Sequence, residues 1–150
     1  MKLIKDDLQV KKPSWKILKL LNKIDFKVQK LDWKPFDIEV FPLYNGRERS
    51  FCLQCSALIG SYREKALFIC FGENRNSDNI FLQHNRADKP FNAPTNHEVF
   101  SEDSYYSRKY FMPDSEEKVA SEIQVMVQNF IDEVYAEAAT RELEKKAATV

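Results

Sequence analysis

The spacing of apolar and polar positions changes period several times along the chain, and each change marks an element. Trp15, Ile17, Leu18, Leu21 and Ile24 recur at helical intervals behind Pro13 and Ser14, which suit a first turn or a cap. Lys16, Lys19 and Lys23 fall off that stripe, so the pattern predicts a short amphipathic helix with Trp15 on its buried side. From Phe36 the period becomes two: Phe36, Ile38 and Val40 alternate with Asp37 and Glu39 until Pro42 removes a ladder donor. Tyr44, Asn45, Gly46 and Arg47 then supply a hairpin turn centred on Asn45-Gly46. A second strand follows from Arg49 to Ile59, with Phe51, Leu53, Cys55, Ala57 and Ile59 on one face and Gly60-Ser61 turning the chain. Residues 66–71 are apolar on both faces, as in a central strand, and Gly72 is read as its end. After a polar loop over 73–79, residues 80–84 form a fourth strand.

Residues 85–113 lack a clear period; Pro90 and Pro94 come early, and Phe100, Tyr105, Tyr106, Tyr110 and Phe111 come late. A connection this long is functional or poorly ordered, and the aromatic residues favour a segment pinned onto the body. The strongest signal comes last. Pro113-Asp114 with Glu117 reads as a capping signal, followed by a stripe of Val119, Ile123, Met126, Val127, Phe130, Ile131, Val134 and Ala138. The six large side chains from Ile123 to Val134 gain on the order of 10 kcal/mol on burial before chain entropy is subtracted. The ordinary cover for such a stripe is the sheet of the same molecule. Pairs such as Glu137 with Arg141 and Glu142 with Lys146 carry helix propensity onward, so a helix from Ser115 to Lys146 would be about 50 Å long. That exceeds the width of a domain of this size, and its end should project or fray.

These elements define an α+β fold: a two-layer sandwich in which a four-stranded antiparallel meander carries the N-terminal helix and the long C-terminal helix on one face. The chain reads as a single domain over 1–150, with a loose basic arm over 1–12, a folded body over 13–138 and a projecting or frayed end over 139–150.

Composition supports one folded core, since 43% of the 150 residues are apolar and 31% charged. Lys and Arg number 23 and Asp and Glu 23, so the whole molecule exerts no strong pull on nucleic acid or anionic lipid. The charge is uneven, however: residues 1–34 hold ten lysines against four aspartates, and residues 114–150 hold nine acidic groups against four basic ones. The two segments are expected to lie near each other and neutralise, and a basic N-terminal contact surface is the other reading. The first residues carry lysines with no apolar run behind them, so no secretory signal is expected. The longest apolar run, 66–71, falls far short of the ~20 residues that span a bilayer, and neither a membrane span nor membrane partnership is expected. Three cysteines, Cys52, Cys55 and Cys70, suit a reducing compartment and a cytoplasmic location. Cys52 and Cys55 have the C-x-x-C spelling, but on a strand residues three apart point to opposite faces, so they read as buried structural thiols.

The remaining chemistry is sparse. Three glycines, Gly46, Gly60 and Gly72, cannot spell a phosphate-binding loop, and neither G-x-S-x-G nor H-E-x-x-H occurs. His84, His97, Glu98 and Asp103 could be imagined around a metal ion, and Asp37 with Glu39 as nuclease-like carboxylates, but nothing fixes either geometry. No catalytic residue, cofactor or metal is therefore assigned. The expected function is that of a non-catalytic binding or adaptor protein, partnered by another protein or by its own copies through Trp33, Tyr105, Tyr106, Tyr110, Arg141 and Leu143. The alternative is a nucleic-acid accessory protein whose Lys11, Lys12, Lys16 and Lys19 contact phosphates. Against it stand the absence of arginine from residues 1–34 and the assignment of Trp15 to the core.

Overall fold

The elements follow in the order α1 (Trp15–Val28), β1 (Asp37–Asn45), β2 (Glu48–Ile59), β3 (Arg63–Glu73), β4 (Ile80–Ala87), β5 (Lys109–Phe111) and α2 (Glu116–Ala148). This computed structural model describes residues 15–31, 37–45, 48–59, 63–73, 77–87 and 108–148. The arm 1–12, the turn Gly60-Ser61, Trp33, Tyr105, Tyr106, Lys11, Lys12, His97, Glu98 and Asp103 lie outside the described residues. The strands form one antiparallel sheet in the order β1-β2-β3-β4-β5, so the meander runs in sequence order with α1 and α2 on one face.

The four long strands are extended by β5, which the sequence did not announce. Three residues are too few to display a period, and β5 is defined by its ladder to β4: Ile80 opposite Phe111, Phe81 opposite Tyr110, and Leu82 opposite Lys109. Just before it, the buried Arg108 donates from Nε to Gln83 Oε1 at 2.7 Å, and its guanidinium carbon sits 4.1 Å from the centre of the Phe81 ring. A planar cation stacked on an aromatic face while donating to an amide holds the two strands in register.

Several strand boundaries differ from expectation. β1 does not stop at Pro42; Pro42 pairs with Phe51, and the strand runs on to Asn45 opposite Glu48. β1 is a border of the sheet, where a missing N–H costs no inter-strand bond if it faces outward. Asn45 is thus a strand residue and not the first centre of the turn. Gly72 lies inside β3, opposite Ser50 on one side and Phe81 on the other. The buried Phe81 ring stands across from the position that lacks a side chain, an arrangement that compensates glycine in a sheet.

β3 lies centrally and is buried on both faces from Ala66 to Phe71. One face, with Phe51, Leu53, Cys55, Leu67, Ile69 and Phe71, joins the apolar stripes of both helices in the main core. The other carries a second buried cluster of Cys52, Ala66, Phe68, Cys70 and Phe81. Cys52 and Cys55 therefore do point to opposite faces, and all three cysteines are buried thiols outside any disulfide. Cys52 and Cys70 are ladder partners. Burial pushes the Cys52 thiol well above its ordinary pKa, and its Cys70 neighbour adds to the rise.

The helices explain why this face is closed. In α2 the buried positions Val119, Ala120, Ile123, Val127, Phe130, Ile131 and Val134 keep the predicted stripe, and Met126 packs partly against it. Ala138 does not belong: it is exposed, because the stripe ends at Val134. Ser115 begins the helix by accepting a 3.0 Å bond from Val119 N–H. Glu116 and Glu117 in the first turn, and Lys145 and Lys146 in the last, match the helix dipole.

In α1 the buried residues are Ile17, Leu20, Leu21, Ile24 and Val28, while Leu18 is only half-buried. Trp15 is 79% exposed, which overturns its assignment to the core. At about 100° per residue the five buried positions share an arc of about 100°, and Trp15 stands nearly opposite its middle.

Candidate contact surfaces of the helical layer

The outward side of α1 is built from the residues that its buried arc leaves over. Trp15, Lys19, Asn22 and Phe26 are all exposed and lie at intervals of four, three and four, so they form one line along the helix. Phe26 is 65% exposed, and the ammonium of Lys30 sits 4.1 Å above the centre of its ring. Trp15 and Phe26 are about 16 Å apart along the axis. Beside this line Lys16, Lys19, Lys23 and Lys27 fall within an arc of about 80°, a lysine ridge between the aromatic line and the buried side.

The ridge faces the start of α2. Glu117 takes Lys23 Nζ at 2.9 Å on one carboxylate oxygen and Lys27 Nζ at 2.7 Å on the other. Bonds from Lys27 and Lys23 hold its carboxyl down at about 2, although it is exposed. Glu117 was expected to act within a cap of its own helix; it joins α2 to α1. The expected meeting of the basic N-terminal and acidic C-terminal segments is realised at this point. Gln124 completes the joint by donating Nε2 to the Lys27 carbonyl at 3.0 Å, which satisfies one of the last carbonyls of α1. Between the helices lies a cleft of about 390 Å³ lined by Trp15, Lys19, Asn22, Lys23, Phe26, Lys27 and Glu117.

Lys16, a candidate phosphate contact, is half-buried and donates to the Asp78 carbonyl at 2.9 Å. Asp78 has a positive φ of 58°, a left-handed conformation that aspartate tolerates better than most residues. Lys16 therefore also fastens the loop before β4. Lys19 is exposed on the ridge.

The second surface is the far part of α2. Ion pairs tie the helix to the sheet in sequence: Glu122 to Lys109 at 3.8 Å, Glu133 to Arg86 in a two-bond fork, and Glu137 to Lys65 at 2.6 Å. Beyond Val134 every residue to Ala148 is exposed except the half-buried Glu137 and Arg141. Arg141 is paired with Glu137 at 3.0 Å, and Leu143 is 68% exposed. Tyr110 is 53% exposed on β5, beside the exposed Met112. The structure does not bring Tyr110 and Leu143 together: Lys109 pairs with Glu122, and Leu143 lies about 30 Å further along α2.

His84 stands at the surface of β4, where partial burial, and then the charges of Arg86 and Lys109, lower its pKa below the usual imidazole range. Among the described residues no group of three or more His, Cys, Asp or Glu side chains could hold a metal ion. The backbone of Asp37 and Glu39 lies on border strand β1, opposite Ser56 and Gln54. Among the described residues no helix is long and apolar enough to cross a membrane.

No protein-family model, curated protein or solved structure matches the chain, so these surfaces are read from their chemistry alone. The residue that sequence reasoning misplaced is Trp15. A helical wheel anchored on Ile17 and Ile24 finds it, together with Phe26.

Proposed function

We propose that this protein is a non-catalytic adaptor that works through protein–protein contacts, with the far end of α2 as its contact element. The observation that carries the reading is that α2 continues to Ala148 after its last buried residue, Val134. That is about four turns of helix with almost no core to hold them. An isolated helical segment of that length is marginal in water, so a partner that covers it supplies the missing stabilisation. Leu143 gives that partner an apolar anchor, and Tyr135, 41% exposed, gives it an aromatic one.

A chain ended after Tyr135 tests this. It retains the whole buried stripe and so should fold. The expected result is loss of self-association by light scattering, or loss of a protein partner captured by the full chain, with Leu143→Asp giving the same loss. Unchanged size together with unchanged capture would sink the proposal.

A further inference from the structure

We propose that the outward face of α1 binds single-stranded nucleic acid, with Trp15 and Phe26 as stacking platforms for bases and the adjoining lysine ridge as the contact for phosphates. This site is separate from the far end of α2 and does not rest on its role.

Three observations carry the inference. First, two large rings that could have been placed in the core are left 79% and 65% exposed on one line of one helix. Base stacking on exposed aromatic rings is the usual sequence-tolerant way to hold a single strand. Second, the charge beside the rings suits a polyanion, since Trp15 to Lys30 contains five lysines and one aspartate. Glu117 engages the ammonium groups of both Lys23 and Lys27 and offsets one of their two charges. Lys16, Lys19 and Lys30 carry most of the remaining positive charge, and Lys30 already stands at the Phe26 ring. Third, the positions between the rings are polar, Lys19 and Asn22, and the rings are about 16 Å apart. A partner helix docks by contiguous apolar anchors one turn apart, which this line lacks. Separated rings joined by cations suit a chain of bases linked by phosphates. The lack of arginine on the ridge agrees with phosphate contact that does not read sequence, because lysine acts there as a point charge.

The test uses the full chain with end-labelled, mixed-sequence oligonucleotides in three arms: single-stranded RNA, single-stranded DNA and duplex DNA. Binding to at least one single strand should exceed binding to duplex, and the RNA and DNA arms decide between the two sources of the same chemistry. Trp15→Ala and Phe26→Ala should each weaken it about 5- to 150-fold with unchanged thermal midpoints, both side chains being exposed. Replacing Lys19 and Lys30 together with Gln should flatten the slope of log K against log salt by about 1.4, which loss of fold would not mimic. The proposal is overturned by no binding up to about 10⁻⁴ M protein, the weak end of non-specific affinity. Preference for duplex, or affinity and salt slope untouched by the substitutions, would overturn it equally. So would an acidic amphipathic peptide that binds this face when no oligonucleotide does.

Discussion

Replacing Phe130 with Ala probes the contact on which the architecture depends. Phe130 is 2% exposed and belongs to the core shared by α2 and the sheet. Truncating a buried Phe to Ala removes about 3–5 kcal/mol through lost transfer energy and the space left behind. Phe130 also borders a cleft of about 200 Å³ between α2 and the ends of β3 and β4, lined by Lys65, Arg86, Glu133 and Glu137. Water can enter from that side, so the cost should fall near the lower limit, about 3 kcal/mol. Domains of this kind have unfolding free energies of about 5–15 kcal/mol, so the variant folds but is clearly weakened. With a urea slope of about 2 kcal/mol/M, the midpoint followed by far-ultraviolet circular dichroism should drop by about 1.5 M at unchanged slope. Leu143→Ala is the matched control on the same helix and should stay within about 0.5 kcal/mol of the parent. If the two variants shared one midpoint, the packing of α2 on the sheet would be refuted, and the adaptor reading with it.

Glu117→Gln should alter acid stability in a defined window. The native carboxyl titrates at about 2 against an ordinary 4.5, so its stabilisation is complete above 4.5 and is lost as pH falls toward about 2. Thermal midpoints measured across that range should fall more steeply for the parent than for the variant, and parallel curves would contradict the bridge to Lys23 and Lys27. Arg86 and Glu133 form a fork with both side chains about half exposed, and a double-mutant cycle by chemical denaturation should give a coupling of only about 0.2–1 kcal/mol. A coupling of several kcal/mol would mean that water is excluded there. Labelling by an aromatic disulfide reagent at neutral pH should be slow for all three cysteines and should accelerate with urea, because the thiols are buried and that of Cys52 is held protonated. Prompt reaction of Cys52 in the native protein would show that its environment is not closed.

The parts of the fold that could be read from the sequence are those with a long, unambiguous period. The stripe from Val119 to Val134 needs one face of one helix, and that face is buried as expected. The strand period of two around Phe51 to Ala57 also settled which way Cys52 and Cys55 point. Short or punctuated signals were less legible. Pro42 and Gly72 read as breaks because each weakens a generic strand, but a border position accommodates the first and the Phe81 ring opposite compensates the second. Trp15 enters the expected α1 stripe on its spacing with Ile17 and Leu18. A separation of two is not a helical neighbour, and Leu20 and Val28 complete the arc instead. The contact surfaces were harder still, since exposure carries no period: Lys19 and Leu143 could be named, but the line joining Trp15 to Phe26 emerges only once the buried side of α1 is fixed.

The two borders of the sheet have a consequence for how copies of this molecule can meet. One border strand carries an imino acid in mid-run, and the other is only three residues long. Neither offers the long, regular row of unsatisfied amides and carbonyls that templates growth of a sheet from molecule to molecule. Strand recruitment, the common route to runaway aggregation, is thereby blunted at both ends.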